Sequence, residues 1–236
     1  MSTSAEPRPQ TFDALPTVTR SFMPYIAPMF AYVALGSLES YLPSPGWYPA
    51  AYAAKAAIVA AIMWYYRSTW NDLRPAPGVL DVLLAVATGL VVIALWIGLD
   101  GRYPDLPFMG GARKAFDPDV LGPAGKAAFI AVRLLGLVLL VPVFEELFWR
   151  SFLIRWLIDQ DFWKVPIGRV TWISALVCSA FFALAHPEWL PALLTGLLWA
   201  GLLAYTKSVS ACVISHVVAN LALGIYVIAT KAWKFW

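Results

Sequence analysis

The sequence Val-Pro-Val-Phe-Glu-Glu-Leu-Phe-Trp-Arg, residues 141–150, places two adjacent carboxylates at the end of a long apolar run. A charged side chain in the middle of a bilayer costs about 3 kcal/mol or more, so ionisable groups there usually mark a functional site. The two histidines of the chain, His186 and His216, also lie within apolar segments. The sequence therefore predicts polar chemistry carried out inside a membrane.

Composition restricts the class of protein to which this chain can belong. Hydrophobic residues make up 61% of its 236 residues. Charged residues make up 13% of the chain, against about 25% in an ordinary soluble domain. A soluble protein of this length needs more polar surface, because each helix buries only one of its faces. We therefore predict an all-α fold, a polytopic transmembrane helical bundle.

The apolar stretches of the sequence give the number of helices that we expect to cross the membrane. Seven stretches have roughly the 20 residues that a span needs; they cover residues 22–42, 47–66, 79–99, 126–144, 170–186, 190–205 and 209–228. Residues 127–158 are too many for one untilted span. A kink at Pro142 followed by a second, partly buried helix would add one more. The prediction is seven or eight spans.

The ends and loops of the chain indicate its organisation. Residues 1–20 are rich in Pro, Ser and Thr and are predicted to be a disordered polar tail without the features of a signal peptide. Residues 21–236 are then a single membrane domain, with the catalytic motifs in 141–224. Lys and Arg in the short loops favour a cytoplasmic N-terminus. The formal net charge of +3 therefore reflects membrane topology, and no nucleic-acid partner is predicted.

The paired glutamates differ in the neighbours that a helix gives them. Glu146 and Arg150 are four residues apart in the favourable acid-before-base order, which predicts an ion pair. Glu145 points about 100° away around the helix and lacks that partner. A desolvated carboxylate of this kind readily accepts a proton from water. The alternative is a helix end in the headgroup layer, where all three side chains are simply solvated.

Each histidine belongs to a short motif of its own. His186 ends Phe182-Ala-Leu-Ala-His186, and His216 begins His216-Val-Val-Ala-Asn220. The i, i+4 spacing puts His216 and Asn220 on one helix face, where both can donate hydrogen bonds to a developing oxyanion. Alternatively, His186 is an interface residue and the His216–Asn220 pair joins neighbouring helices by hydrogen bonds.

The three motifs Glu-Glu-x-x-x-Arg, Phe-x-x-x-His and His-x-x-x-Asn follow one another on consecutive apolar segments within residues 141–224. In this order they resemble the CAAX prenyl endopeptidase family of intramembrane glutamate proteases, whose bacterial relatives are involved in bacteriocin self-immunity. The resemblance implies that Glu145 is the general base and that His186 helps it to activate water. It also implies that His216 and Asn220 stabilise the oxyanion. Glu146 and Arg150 complete the first motif and are interpreted as structural.

The resemblance also implies the setting of the reaction. We expect an intramembrane endopeptidase that needs no metal or cofactor and hydrolyses a peptide bond of a lipidated or membrane-associated peptide. Its location would be the lipid bilayer of a bacterial cytoplasmic membrane, and the sequence leaves its oligomeric state open. Four aromatic residues are candidates for substrate contact, although aromatics at such spacings commonly pack or form interface belts. They are Phe148, Trp149, Phe181 and Phe182.

Three other functions are compatible with these residues. Glu145, His186 and His216 are all possible zinc ligands, although the His-Glu-x-x-His signature of many zinc proteases is absent. Cys212, His216 and Asn220 share a helix face and have the residue types of a thiol protease triad. A non-enzymatic immunity or scaffold protein, in which the polar cluster serves packing against a membrane partner, is the third alternative.

Overall fold

The computed structural model describes residues 21–39, 41, 45–106 and 115–236, so the predicted tail 1–20 lies outside the described residues. The described part contains α1 (Met23–Glu39), α2 (Tyr48–Tyr65), α3 (Val79–Leu99), α4 (Gly122–Leu135), α5 (Val141–Glu146), α6 (Ile154–Trp156), α7 (Trp172–Leu184), α8 (Trp189–Thr206) and α9 (Val209–Thr230). No strand occurs among these residues. The predicted all-α class is confirmed.

Four helical stretches of the described chain are long and apolar enough to cross a membrane, judged by length and composition. They are Val79–Leu99, Pro118–Trp156, Trp189–Thr206 and Val209–Thr230. Helix α7 is apolar but shorter. A helical membrane bundle is therefore confirmed, while the number of spans, seven or eight, stays a prediction.

The stretch that is too long for one span is a single helical run of 39 residues, Pro118–Trp156. Two π-helical segments, Gly136–Leu140 and Leu147–Leu153, interrupt it on either side of α5. Pro142 lies at the start of α5, directly after the first π-helical segment. Proline has no N–H to donate to the preceding turn, and a wider π turn accommodates that loss without ending the helix. The short α5, which carries both glutamates, is therefore framed by two irregular turns.

Small residues allow the helices around α9 and α7 to approach closely. A Cβ atom on Gly89 of α3 would lie 2.5 Å from the backbone oxygen of Ser215 in α9. A Cβ atom on Gly196 of α8 would lie 2.8 Å from the Cβ of Ser179 in α7. Such contacts are how membrane helices gain packing energy when no water drives them together. These contacts hold α9 against α3 and α7 against α8. Helix α9 and the end of α7 carry the two histidine motifs.

A second polar cluster, on the C-terminal side of the glutamates, joins α1 and the segment after α2 to the end of the long helix. Asp72 accepts hydrogen bonds from the Tyr25 hydroxyl at 2.7 Å and from Nη2 of Arg155 at 2.8 Å. The Ser151 hydroxyl also donates to Asp72. Arg155 is buried in this cluster, so its charge serves tertiary structure.

Candidate active site

A cavity of about 980 Å³ lies between α1, α2, α3, the long helix and α7 to α9. Its wall includes the four side chains for which the sequence predicts catalytic roles: Glu145, His186, His216 and Asn220. They come from α5, from the end of α7 and from α9. The fold therefore brings together residues that are up to 75 positions apart in the sequence (220 − 145).

Glu145 lies near the C-terminal end of α5 and is only 6% exposed. The residue lines the cavity together with Val141 and Tyr32. A carboxylate in such a low-dielectric setting interacts more strongly with a nearby proton or dipole than it would in bulk water. Glu145 can therefore act on a water molecule that enters the cavity.

The hydrogen bond that His186 makes defines which of its nitrogens carries a proton. Nδ1 of His186 lies 2.7 Å from the backbone oxygen of Phe182. A carbonyl oxygen only accepts hydrogen bonds, so Nδ1 carries the proton and Nε2 is left to accept or exchange one. The ring also packs against Phe182 and Trp96, with centroid distances of 4.5 Å and 5.8 Å. His186 is therefore oriented as a base or hydrogen-bond acceptor.

Glu146 connects the first and third motifs. Its Oε2 lies 3.2 Å from Nε of Arg150, which is the ion pair predicted from the sequence. Its Oε1 accepts a hydrogen bond of 2.8 Å from Nδ1 of His216. Glu146 is fully buried and Arg150 is 1% exposed. Glu146 therefore orients His216 as well as neutralising Arg150, a contact that the sequence did not predict.

Trp199 of α8 supports this buried group from one side. Its ring centroid lies 4.4 Å from that of His216 and 5.0 Å from the guanidinium carbon of Arg150. The indole N–H donates to the Ser215 hydroxyl at 2.9 Å, which fixes the plane of the ring. Phe182 lies 5.0 Å from the same guanidinium carbon. Arg150 is thus held between two aromatic faces, a favourable cation–π arrangement.

Asn220 contacts the irregular part of the long helix. Its amide Nδ2 donates a hydrogen bond of 2.7 Å to the backbone oxygen of Leu137, within the first π-helical segment. A π-helical turn disturbs the regular pairing of carbonyl groups, and a side-chain donor can satisfy one of them. The second N–H of the amide remains for a cavity ligand. Asn220 therefore combines a structural contact with a place on the cavity wall.

The four aromatic candidates for substrate contact occupy different environments. Phe182 lines the cavity. Trp149 is buried and packs edge-on against Phe182 at 5.6 Å, whereas Phe181 is 51% exposed on the outside of the bundle. Phe148 is partly buried and packs against the core. Of the four, Phe182 is the one that the fold places where a cavity ligand would lie.

Neither rival chemistry gains support from the geometry. The Cys212 side chain is fully buried, and its sulfur lies 3.6 Å from the Trp199 backbone oxygen, away from the cavity wall. Nδ1 of His216 is already engaged by Glu146. In the part of the chain that the structure describes, no group of three His, Cys, Asp or Glu side chains is arranged to hold a metal ion.

The cavity wall carries a second polar group that sequence reasoning missed. It consists of Glu39, Tyr48, Lys55 and Arg133. Lys55 and Arg133 each lie within a predicted apolar span, and charge at that depth is the signal that would have identified them. The cavity wall therefore contains two groups of polar side chains.

Comparison with known proteins agrees with the motifs. The model of the Rce1-like family, described as type II CAAX prenyl endopeptidase Rce1-like, matches residues 127–222. No curated protein and no solved structure shows significant similarity to the chain. The matched segment contains all three motifs and all four candidate catalytic residues. The predicted resemblance is confirmed: residues 127–222 are similar to the type II CAAX prenyl endopeptidase Rce1-like family, and the chain is an integral, multi-pass membrane protein.

Proposed function

We propose that this protein is an intramembrane endopeptidase of the glutamate type, which hydrolyses a peptide bond of a lipidated or membrane-associated peptide. The observation that carries the proposal is the shared cavity of Glu145, His186, His216 and Asn220. Apolar and aromatic side chains make up much of the remaining wall, which suits a substrate that partitions into the bilayer. The location that we propose is the cytoplasmic membrane of a bacterium.

In the proposed reaction, Glu145 and His186 hold the attacking water. Glu145 takes one proton from it while the water oxygen bonds to the scissile carbonyl carbon. His186 accepts the second hydrogen bond of the water through Nε2, the ring nitrogen that does not face the Phe182 carbonyl. The carbon–nitrogen bond then breaks, and the leaving amine receives the proton from Glu145. The water is thus divided between the new carboxyl end and the new amino end, without a covalent intermediate.

His216 and Asn220 supply the donors for the oxyanion that forms during the attack. Nδ1–H of His216 already donates to Glu146, so a donor role for Nε2 requires the doubly protonated ring. The buried set of Arg150, Glu146 and protonated His216 then carries one net positive charge next to the cavity. Preorganised charge of this kind stabilises a developing oxyanion more than the neutral carbonyl. Glu146 and Arg150 are positioning residues in this scheme.

The test compares membranes of cells that make the wild-type protein with membranes of cells that make Glu145→Gln. Quantitative peptide analysis should find at least one membrane-associated peptide that accumulates uncleaved in the variant. Isolated in vitro, that peptide should be cut by the purified wild-type protein, with one oxygen atom from labelled water in its new carboxyl end. A non-enzymatic scaffold predicts that the two membranes hold the same peptides and that a partner copurifies equally with both forms.

A further inference from the structure

Arg133 is a cation buried in the apolar part of α4, within the sequence Phe-Ile-Ala-Val-Arg-Leu-Leu. Its side chain is part of the cavity wall, although the residue is only 6% exposed. Nη1 donates a hydrogen bond of 2.7 Å to the Tyr48 hydroxyl. The guanidinium carbon lies 4.4 Å from the ring centroid of Tyr52. These contacts hold the guanidinium in one place beside the cavity.

Among the residues that the structure describes, Arg133 differs from the other buried cations in forming no ion pair with a carboxylate, although Glu39, the partner of Lys55, lies near enough to interact with its charge. Arg150 is paired with Glu146, Arg155 with Asp72, and Lys55 with Glu39. Arg133 forms no ion pair with any carboxylate in the described part of the chain, and its buried Nε has no hydrogen-bond acceptor there. Burial of a charge without an ion-pair partner is unfavourable, and the aromatic contacts offset only part of that cost. The cavity wall therefore presents a preorganised cation that an anion would stabilise.

The position of Arg133 relates this cation to the proposed chemistry. Arg133 and Glu145 lie on the same helical run, twelve positions apart (145 − 133). At about 1.5 Å of rise per residue their α-carbons are separated by about 18 Å along the axis. An extended peptide spans about 3.3–3.6 Å per residue, so about five residues bridge that distance. A peptide bound at both places would carry its anionic group within a few residues of the scissile bond.

We propose that Arg133 binds a carboxylate of the peptide substrate and thereby sets which bond reaches Glu145. A planar guanidinium matches a carboxylate with two parallel hydrogen bonds. The carboxylate is either the free end of the peptide chain or an Asp or Glu side chain. This inference rests on the proposed function, and it adds the residue that selects the substrate.

A binding experiment tests Arg133 without depending on turnover. Glu145→Gln protein in lipid nanodiscs is titrated with N-palmitoyl-pentaalanine as the free acid and as the C-terminal amide. A third probe is the amide with its last alanine replaced by Glu. At least one carboxylate probe should bind about ten- to a hundredfold more tightly than the neutral amide, the scale of a charge-assisted hydrogen bond. The free acid and the Glu probe distinguish a chain-terminal carboxylate from a side-chain carboxylate.

Variants of Arg133 show whether this residue causes the difference. Arg133→Met should abolish the preference for carboxylate, and Arg133→Lys should retain part of it because charge remains without the planar fork. Lys126→Met is the matched control, since Lys126 is a cation of the same helix that does not line the cavity. Its preference should equal that of the parent.

Equal affinity for the three probes, or no binding of any of them, overturns the inference, and so does a preference that survives in Arg133→Met. The comparison of acid and amide needs no Arg133 variant, so it decides even if that variant does not fold. Binding by Arg133 in a protein that cleaves nothing would refute the proposed function alone. Cleavage that is indifferent to the substrate carboxylate would refute this inference alone.

Discussion

Replacement of Glu146 by Gln should lower the free energy of unfolding by about 3–5 kcal/mol, the cost of breaking a buried ion pair by removing one partner. Gln keeps the shape of the side chain and can still accept one hydrogen bond from His216. It cannot neutralise Arg150, which is 1% exposed and whose guanidinium carbon would be left facing Phe182 and Trp199 at 5.0 Å each. These aromatic contacts are already present in the wild type, so they do not compensate for the lost carboxylate.

The assay is equilibrium unfolding of the purified protein in mixed micelles of dodecyl maltoside and dodecyl sulfate, followed by tryptophan fluorescence. Glu145→Gln is the control, because it makes the same chemical change one residue earlier, on the cavity wall. The double variant Glu146→Gln/Arg150→Met should recover much of the loss, since it removes the stranded charge as well. Wild-type stability in Glu146→Gln would refute the structural role of the pair. A double variant as unstable as the sum of the single ones would refute their coupling.

Three further changes test separate parts of the account. Asn220→Ala should lower kcat per folded molecule by about a hundredfold or more, with a much smaller change in KM, as expected when one oxyanion donor is removed. Unchanged turnover in a destabilised variant would show that Asn220 serves only its structural contact with Leu137. Activity should survive Cys212→Ala, thiol alkylation and exhaustive chelation, and a loss on chelation that zinc reverses would establish a metalloprotease. Gly196→Ala should lower the free energy of unfolding in the same micelles by about 1–3 kcal/mol, because its new methyl group would overlap Ser179. Gly201→Ala on the same helix is the control and should not lower it, because no atom lies within 4 Å of the added Cβ. Equal stabilities of the two variants would show that α7 and α8 are not closely packed.

Local spacing in the sequence was enough to predict the contacts that lie within one helix. The four-residue interval between Glu146 and Arg150 predicted their ion pair, and it is present. The interval between His216 and Asn220 predicted a shared face, and both side chains line the cavity. These predictions succeed because helical periodicity holds wherever the helix lies in the bundle.

Contacts between distant segments could not be obtained in this way. The hydrogen bond from His216 to Glu146 joins residues 70 positions apart. It depends on how closely α9 approaches α5 and on the irregular turns that frame α5. Pro142 indicated an irregularity, but the sequence did not distinguish a kink from a π-helical turn.

Arg133 and Lys55 were overlooked for a different reason. Both are charges inside apolar stretches, so the rule that drew attention to Glu145 applies to them equally. Their partners come from other helices: Tyr48 for Arg133 and Glu39 for Lys55. The residues themselves were therefore visible in the sequence, whereas their common cavity was not.

The most direct test of the central claim is the turnover of purified Glu145→Gln on the peptide that accumulates in its own membranes. The wild-type protein should cleave this peptide, and the variant should bind it while its kcat falls by about 10²- to 10⁴-fold, the contribution of a positioned general base. Its melting temperature should stay close to that of the wild type. Cleavage by folded Glu145→Gln at the wild-type rate would contradict the assignment of Glu145 as the base that activates water.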